Sequence, residues 1–224
     1  MLSRNKIYIK EQPGKDAKKI FIFCEGDREV DYFKYFKGFS SNIDIITIPN
    51  DNGKSDPEKL KEDALLKFFG NEKEEIKPIY ILSKEYKDEI WFVIDTDRWN
   101  EGNKIENLKE FCSTNSKENQ WKATQSNPCF EIWLYFHFYT TKPLESEIAS
   151  STFKEFVNIK IPGGFNSNKY PLLFQDAINS SENNFEVLNN QPKYLSTEVF
   201  LLAKSILPFI KETIDNCIKN QNGK

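Results

Sequence analysis

The chain has 224 residues, of which 38% are hydrophobic and 14% aromatic, with 19 phenylalanines, so it can bury one good core and is not a disordered polypeptide. A formal net charge of −3 argues against a non-specific polyanion binder, although Arg4, Lys6, Lys10, Lys15, Lys18 and Lys19 make the start of the chain locally basic, so charge alone neither proves nor excludes a nucleic-acid partner. No run approaches the roughly 20 apolar residues of a membrane span, and the opening "MLSRNKIYIKEQPGK" lacks a signal peptide's apolar stretch, so a cytoplasmic location without a membrane partner is expected.

The first element is "KKIFIFCEG" at 18–26, an apolar run that predicts a strand buried on both faces. From Asp27, expected to cap the turn, Val30, Phe33 and Phe36 recur at helical spacing. "NIDIITIPN" is a second strand, closed by Pro49 and the polar "NDNGKSDP". Residues 57–70 predict a helix with Pro57 in its first turn, Leu60, Ala64, Leu65, Phe68 and Phe69 as its buried stripe, and Gly70 as its end. The charged stretch 71–88 reads as a surface excursion before the third strand, "EIWFVIDTD" at 89–97. A polar helix over 103–117 and a strand "WKATQS" at 121–126 come next, and "NPCFEIWLYFHFY" predicts an apolar helix capped by Asn127 with Pro128 at its first position.

Strands and helices that alternate in this way predict an α/β fold with a mostly parallel sheet covered on both faces. Beyond residue 140 the pattern turns helical, near 151–158, 171–180 and 195–218, with a flexible loop expected at 179–191. The expected organisation is therefore an α/β domain over 1–140 and a helical extension over 141–224 packed on it. Cys24, Cys112, Cys129 and Cys217 are too far apart for a CxxC metal pair and read as buried free thiols. "NGKS" at 52–55 is not a phosphate loop, because Ile48 stands where the first glycine is required.

In an open parallel sheet, ligands bind where the strands' carboxyl ends converge. Two strands end there in acids: Glu25 follows the first, with Glu29 one helical turn later, and Asp95 and Asp97 close the third. Period-two geometry puts Asp95 and Asp97 on one side of an extended chain, and such hard oxygens suit Mg²⁺. Carboxylates crowded together repel unless a cation sits among them. The plain alternative for Asp95 and Asp97 is a solvated turn, and Arg98 can either pair with them or hold a substrate phosphate. His137 shares a helical face with Phe130, Trp133 and Leu134, which favours a partly buried structural histidine over a catalytic one. Glu131 lies off that stripe and needs a partner or a cation.

"FIFCEGDREVDYF" followed by "IWFVIDTDRW" resembles the TOPRIM arrangement, and "SNPCFEIWLYFHF" at 126–138 is similar to the SNPxFExWLLxHF signature of the RloB-like family. The resemblance runs in order from about residue 18 to 139, and "NQPKYLSTEVFLLAKSI" at 190–206 resembles the family's Asn-Pro-Thr helix start. Two departures stand out: Gln191 intervenes between Asn190 and Pro192, and "NKYP" replaces a Tyr-x-Lys, leaving Lys169 as the counterpart of its lysine.

The resemblance implies a TOPRIM-like fold and a Mg²⁺- or Mn²⁺-dependent endonuclease acting on transfer RNA or DNA in bacterial antiviral defence, controlled by an ABC-type ATPase encoded nearby. Glu25, Asp95, Asp97 and Glu29 would hold the metal. Glu25, Asp95 and Asp97, with Glu131, His137 and Lys169, form the implied catalytic set, and Asn127 belongs to the same signature. The alternative is a non-catalytic defence component that binds an ATPase or nucleic acid without cutting, and a third reading is phosphoryl transfer on a small nucleotide. The oligomeric state is left open.

Overall fold

Strands that are apolar on both faces must be covered on both faces, and the architecture follows from that requirement. A computed structural model describes residues 10–50, 56–96, 101–115, 120–148 and 152–222. The elements in chain order are β1 (Lys18–Cys24), α1 (Asp27–Lys34), β2 (Ile43–Ile48), α2 (Pro57–Phe69), β3 (Glu89–Asp95), α3 (Lys104–Asn115), β4 (Trp121–Asn127), α4 (Glu131–Tyr135), α5 (Glu145–Ile148), α6 (Phe153–Lys160), α7 (Phe174–Asn183), β5 (Val187–Leu188), β6 (Gln191–Pro192), β7 (Ser196–Thr197) and α8 (Val199–Asn222). The sheet order is β2-β1-β3-β4-β7, with the first four strands parallel and β7 antiparallel to β4. The fold is the expected α/β class with a mostly parallel sheet.

Side-chain alternation sorts the strands between two cores. Ile20, Ile22 and Cys24 of β1 and Trp91 and Val93 of β3 pack under α1 and α8, in one cluster with Tyr32, Phe33, Phe36, Trp133, Phe174, Ile206 and Ile210. Phe21, Phe23, Ile90, Phe92 and Ile94 face the other way, against Leu60, Ala64 and Phe68 of α2 and Ile105, Leu108 and Cys112 of α3. Each large side chain buried in this way contributes about 1.5–3 kcal/mol. A third cluster joins Ile132 and Phe136 to Phe153, Phe156 and Val157 of α6.

Local chemistry sets several boundaries. Asp56 caps α2 by accepting the Glu58 N–H at 3.0 Å, and Gly70 ends it at φ 70°. A side chain at Gly70 would bring its Cβ to 2.3 Å from the Ile76 carbonyl oxygen, so this turn requires glycine. The excursion after α2 is tied down by buried Asp88, which accepts the backbone N–H groups of Lys19 and Ser83, each at 2.8 Å.

Four expectations need correction. Phe69, expected in the buried stripe of α2, is exposed at its C-terminal end. Gly26, not Asp27, occupies the N-cap of α1, and Asp27 lies within the first turn. Asn127 does not cap a helix: it is the last residue of β4, pairs with Ser196, and its amide donates to the Pro192 carbonyl at 2.9 Å, so the helix begins only at Glu131. The peptide bond between Asn127 and Pro128 is cis. The loop expected over 179–191 is instead the end of α7 and the β5–β6 hairpin, because Ile178 and Ser181 are buried and the Ser181 hydroxyl donates back to the Ala177 carbonyl.

Glu89 joins four elements. Its Oε1 meets Lys18 of β1 and Lys122 of β4, both at 2.9 Å, and its Oε2 accepts from the Trp91 indole at 2.8 Å and from Ser205 of α8 at 2.6 Å. These hydrogen bonds outweigh burial and hold the carboxyl at about 2, below the ordinary 4.5. A lowered carboxyl stabilises the fold above its unfolded value, and that stability is lost as the pH falls from about 4.5 towards about 2. Glu89→Ala is therefore expected to cost about 2 kcal/mol at neutral pH. Urea unfolding at neutral pH and at about pH 3 checks this, because the penalty should shrink in acid.

Candidate functional site

The chain runs from β1 to β2 on one side and returns to β3 on the other, so the order of the sheet reverses between β1 and β3. A crevice opens at the carboxyl ends of such a pair of strands. Glu25 stands at one lip and Asp95 at the other, and Glu25 Oε2 accepts the Asp95 backbone N–H at 2.9 Å. Asp95 shares its strand face with Trp91 and Val93, which turns its carboxylate towards α1.

Helix α1 brings a second acid. Glu29, Tyr32, Phe33 and Phe36 recur at the i, i+3, i+4, i+7 spacing of one buried stripe, and Glu29 is only 5% exposed. Gly26 makes room for it, since a Cβ there would lie 3.1 Å from Glu29 Oε2. A further acid comes from the turn after β4. Asp95 Oδ1 accepts the Phe130 N–H at 2.8 Å, and Thr96 N–H is shared by the Ser126 and Pro128 carbonyls at 2.9 and 3.1 Å. These bonds fix the turn that presents Cys129 and Glu131. Asp95, Cys129 and Glu131 each place a ligand atom within 4.8 Å of the other two, and all three residues are buried.

Glu25, Glu29, Asp95 and Glu131 thus converge in a poorly solvated place. Burial, then the charges of Glu131 and Glu25, raise the Glu29 carboxyl from 4.5 to about 7. Burial, then Glu29 and Glu25, push Asp95 well above the ordinary aspartate range. Two basic groups approach among the described residues: Lys154 Nζ lies 3.6 Å from Asp95 Oδ2, and Arg28 Nε lies 3.5 Å from Glu131 Oε1. Both cationic side chains are substantially exposed and their contacts are long, so they offset the repulsion only in part. Glu131 Oε2 is buried without a hydrogen-bond partner. An orphaned carboxylate oxygen beside two more acids fits a divalent cation coordinated by hard oxygens.

The remaining sequence candidates lie elsewhere. His137 is buried at 3% exposure, with Nε2 at 2.8 Å from the Tyr32 hydroxyl and Nδ1 at 3.0 Å from the Trp133 carbonyl. Burial lowers it to about 3, so it is neutral at physiological pH, and both ring nitrogens are taken. The exposed Lys169 precedes a 3₁₀ turn at Tyr170–Leu173 and holds its ammonium 5.6 Å from the centre of the Tyr170 ring, with no ion pair to the acids among the described residues. Asn127 lines an open cleft of about 470 Å³ with Asn103, Glu106, Gln191, Lys193 and Tyr194. Asp97 and Arg98 lie outside the described residues. Lys154, Arg28 and Cys129 are the members of the site that sequence reasoning missed. Only the short Cys-x-Glu interval in "NPCFEIW" pointed to Cys129, and nothing local marked Lys154.

A carboxyl raised by its surroundings lowers stability once it is forced to ionise. The Glu29 contribution is therefore intact below about 4.5 and lost as the pH rises through about 7. Glu29→Gln, freed of that charge, should stabilise the cation-free protein by about 1–3 kcal/mol at pH ~8, with the gain vanishing near pH ~5. Chemical unfolding in the presence of a chelator at the two pH values measures it.

Among the described residues no helix is long and apolar enough to cross a membrane. No curated protein and no solved structure matches the chain. The family described as RloB-like protein matches residues 20–206, a span that runs from β1 through the acid centre into α8. The chain therefore belongs to the RloB-like family.

Proposed function

We propose that the chain is a divalent-cation-dependent nuclease that cuts a phosphodiester bond at the crevice between β1 and β3. The observation that carries this reading is the convergence of Glu25, Glu29, Asp95 and Glu131, with one buried oxygen left without a partner. Asp95, Glu131 and Glu25 are the groups that would hold the ion, with Mg²⁺ or Mn²⁺ as its identity. A bound ion would supply polarisation of the phosphoryl oxygens and a water of lowered pKa.

The protein's own groups have distinct roles in this reading. Glu29, raised to about 7, can accept and return a proton near neutral pH. Arg28 and Lys154 stand at the rim with exposed heads, placed to meet phosphate oxygens. The cleft beside Asn127 offers amides and the Tyr194 ring to a chain leaving the acid centre. Tyr32 of α1 and His137, in the turn after α4, meet within the aromatic core, where their hydrogen bond ties that turn to α1. Family membership supports a place in antiviral defence under the control of a separate ATPase, with transfer RNA or DNA as the target.

Purified protein incubated with transfer RNA and with plasmid DNA, in Mg²⁺ or Mn²⁺, should cut one of them. Asp95→Asn and Glu25→Gln should each lower the rate at least about a hundredfold while leaving the fold intact. Variants that cut as well as the wild type would remove these residues from the reaction. A wild-type chain that binds a polymer without cutting it would favour the non-catalytic reading.

A further inference from the structure

Hard-oxygen chemistry accounts for the carboxylates of the centre but not for the thiol beside them. Cys129 is 2% exposed, and its sulfur lies within 4.8 Å of carboxylate oxygens of Asp95 and Glu131, themselves 4% and 5% exposed. All four free cysteines sit in apolar clusters, Cys24 and Cys217 in one, Cys112 in a second and Cys129 in a third. Among the described residues Cys129 is the one whose sulfur groups with two carboxylates at ligand spacing. The thiol has apolar neighbours on one side and two carboxylates on the other. Its position is fixed, because the Ile132 N–H donates to the Cys129 carbonyl at 3.1 Å, and the next residue's N–H is held by Asp95.

A second observation points to a ligand at the same place. Glu131 Oε2 is buried and has no hydrogen-bond partner, while Glu131 Oε1 has Arg28. Leaving a carboxylate oxygen dry and unpaired is costly, and a cation shared with Asp95 and Cys129 removes that cost. One sulfur with two or more carboxylates is a mixed donor set that prefers borderline and soft divalent ions over Mg²⁺, which resists thiolate coordination.

We infer that Cys129 is a cation ligand, so that Asp95, Cys129 and Glu131 take a thiophilic divalent ion, Zn²⁺ or Cd²⁺, more tightly than Mg²⁺. The inference rests on reading this centre as a cation site and adds the thiol that sets its preference. On binding, the sulfur–metal bond forms as the thiol gives its proton to solvent, with no change of oxidation state.

Cd²⁺ is the probe, because sulfur-to-cadmium charge transfer absorbs in the ultraviolet and needs no substrate. Titration of the chelator-stripped full chain should give a band that saturates at about one ion per chain, with Mg²⁺ displacing Cd²⁺ only in large excess. Cys129→Ser should abolish the band. Glu131→Gln, which keeps the thiol, should retain it but weaken Cd²⁺ at least about tenfold. Absence of the band in the wild type, an undiminished band in Cys129→Ser, or unchanged affinity in Glu131→Gln would each overturn the inference. The readout is independent of cleavage: a chain that cuts nothing but shows the band loses the nuclease reading alone, and one that cuts with Mg²⁺ but shows no band loses this inference alone.

Discussion

The parallel pairing of β1 with β3 is the constraint on which the rest of the site depends. Its register sets Cys24 beside Val93, so the chain leaves β1 at Glu25 just where β3 reaches Asp95, and the Glu25 carboxylate closes onto the Asp95 backbone. Both strands are buried on both faces, and neither can slide without turning its apolar side chains to the wrong core. Two acids are thereby held at the reversal point of the sheet by the same hydrophobic burial that stabilises the fold. Asp95 then orders the next part of the site, since its other contact fixes the turn that carries Cys129 and Glu131.

This arrangement concentrates negative charge where water is scarce. Proteins in general keep buried charges paired or neutralise them by shifting their pKa values. Here the rise of Glu29 and Asp95 shows the second response, and the long contacts from Lys154 and Arg28 show an incomplete version of the first. The unpartnered Glu131 oxygen shows that the protein's own groups leave the balance open. A centre that keeps this form only at the cost of repulsion is the physical reason for proposing a cation site rather than a structural knot of acids.

Much of this was legible in the residues. Two-sided apolar runs identified β1 and β3, and the acids at their ends followed from where such strands must stop. Glu29 could be placed because it lies one helical turn after Glu25, and the structure puts it on the buried stripe of Tyr32 and Phe33. The turn after β4 was harder. An Asn-Pro followed by an apolar run carries the local signal of a helix start, and it misled because β4 keeps pairing through Asn127 with β7, a strand contributed from far along the chain. Long-range pairing of that kind leaves no mark in a local window. Lys154 was illegible for the same reason: it reaches Asp95 because α6 packs on α4, with Phe156 against Tyr135. His137 shows the reverse case, where its register with Phe130 and Trp133 already gave the physical clue to its buried place.

Membership of the RloB-like family covers the acid centre and both halves of the chain, and the centre's chemistry supports the reading of a cation-dependent phosphodiesterase. The most direct measurement is calorimetric titration of Mn²⁺ into the chelator-treated chain at a pH above the raised Glu29 value of about 7. The account predicts saturable binding that is lost in Asp95→Asn. No binding by the wild type, or the same affinity in Asp95→Asn, would contradict it.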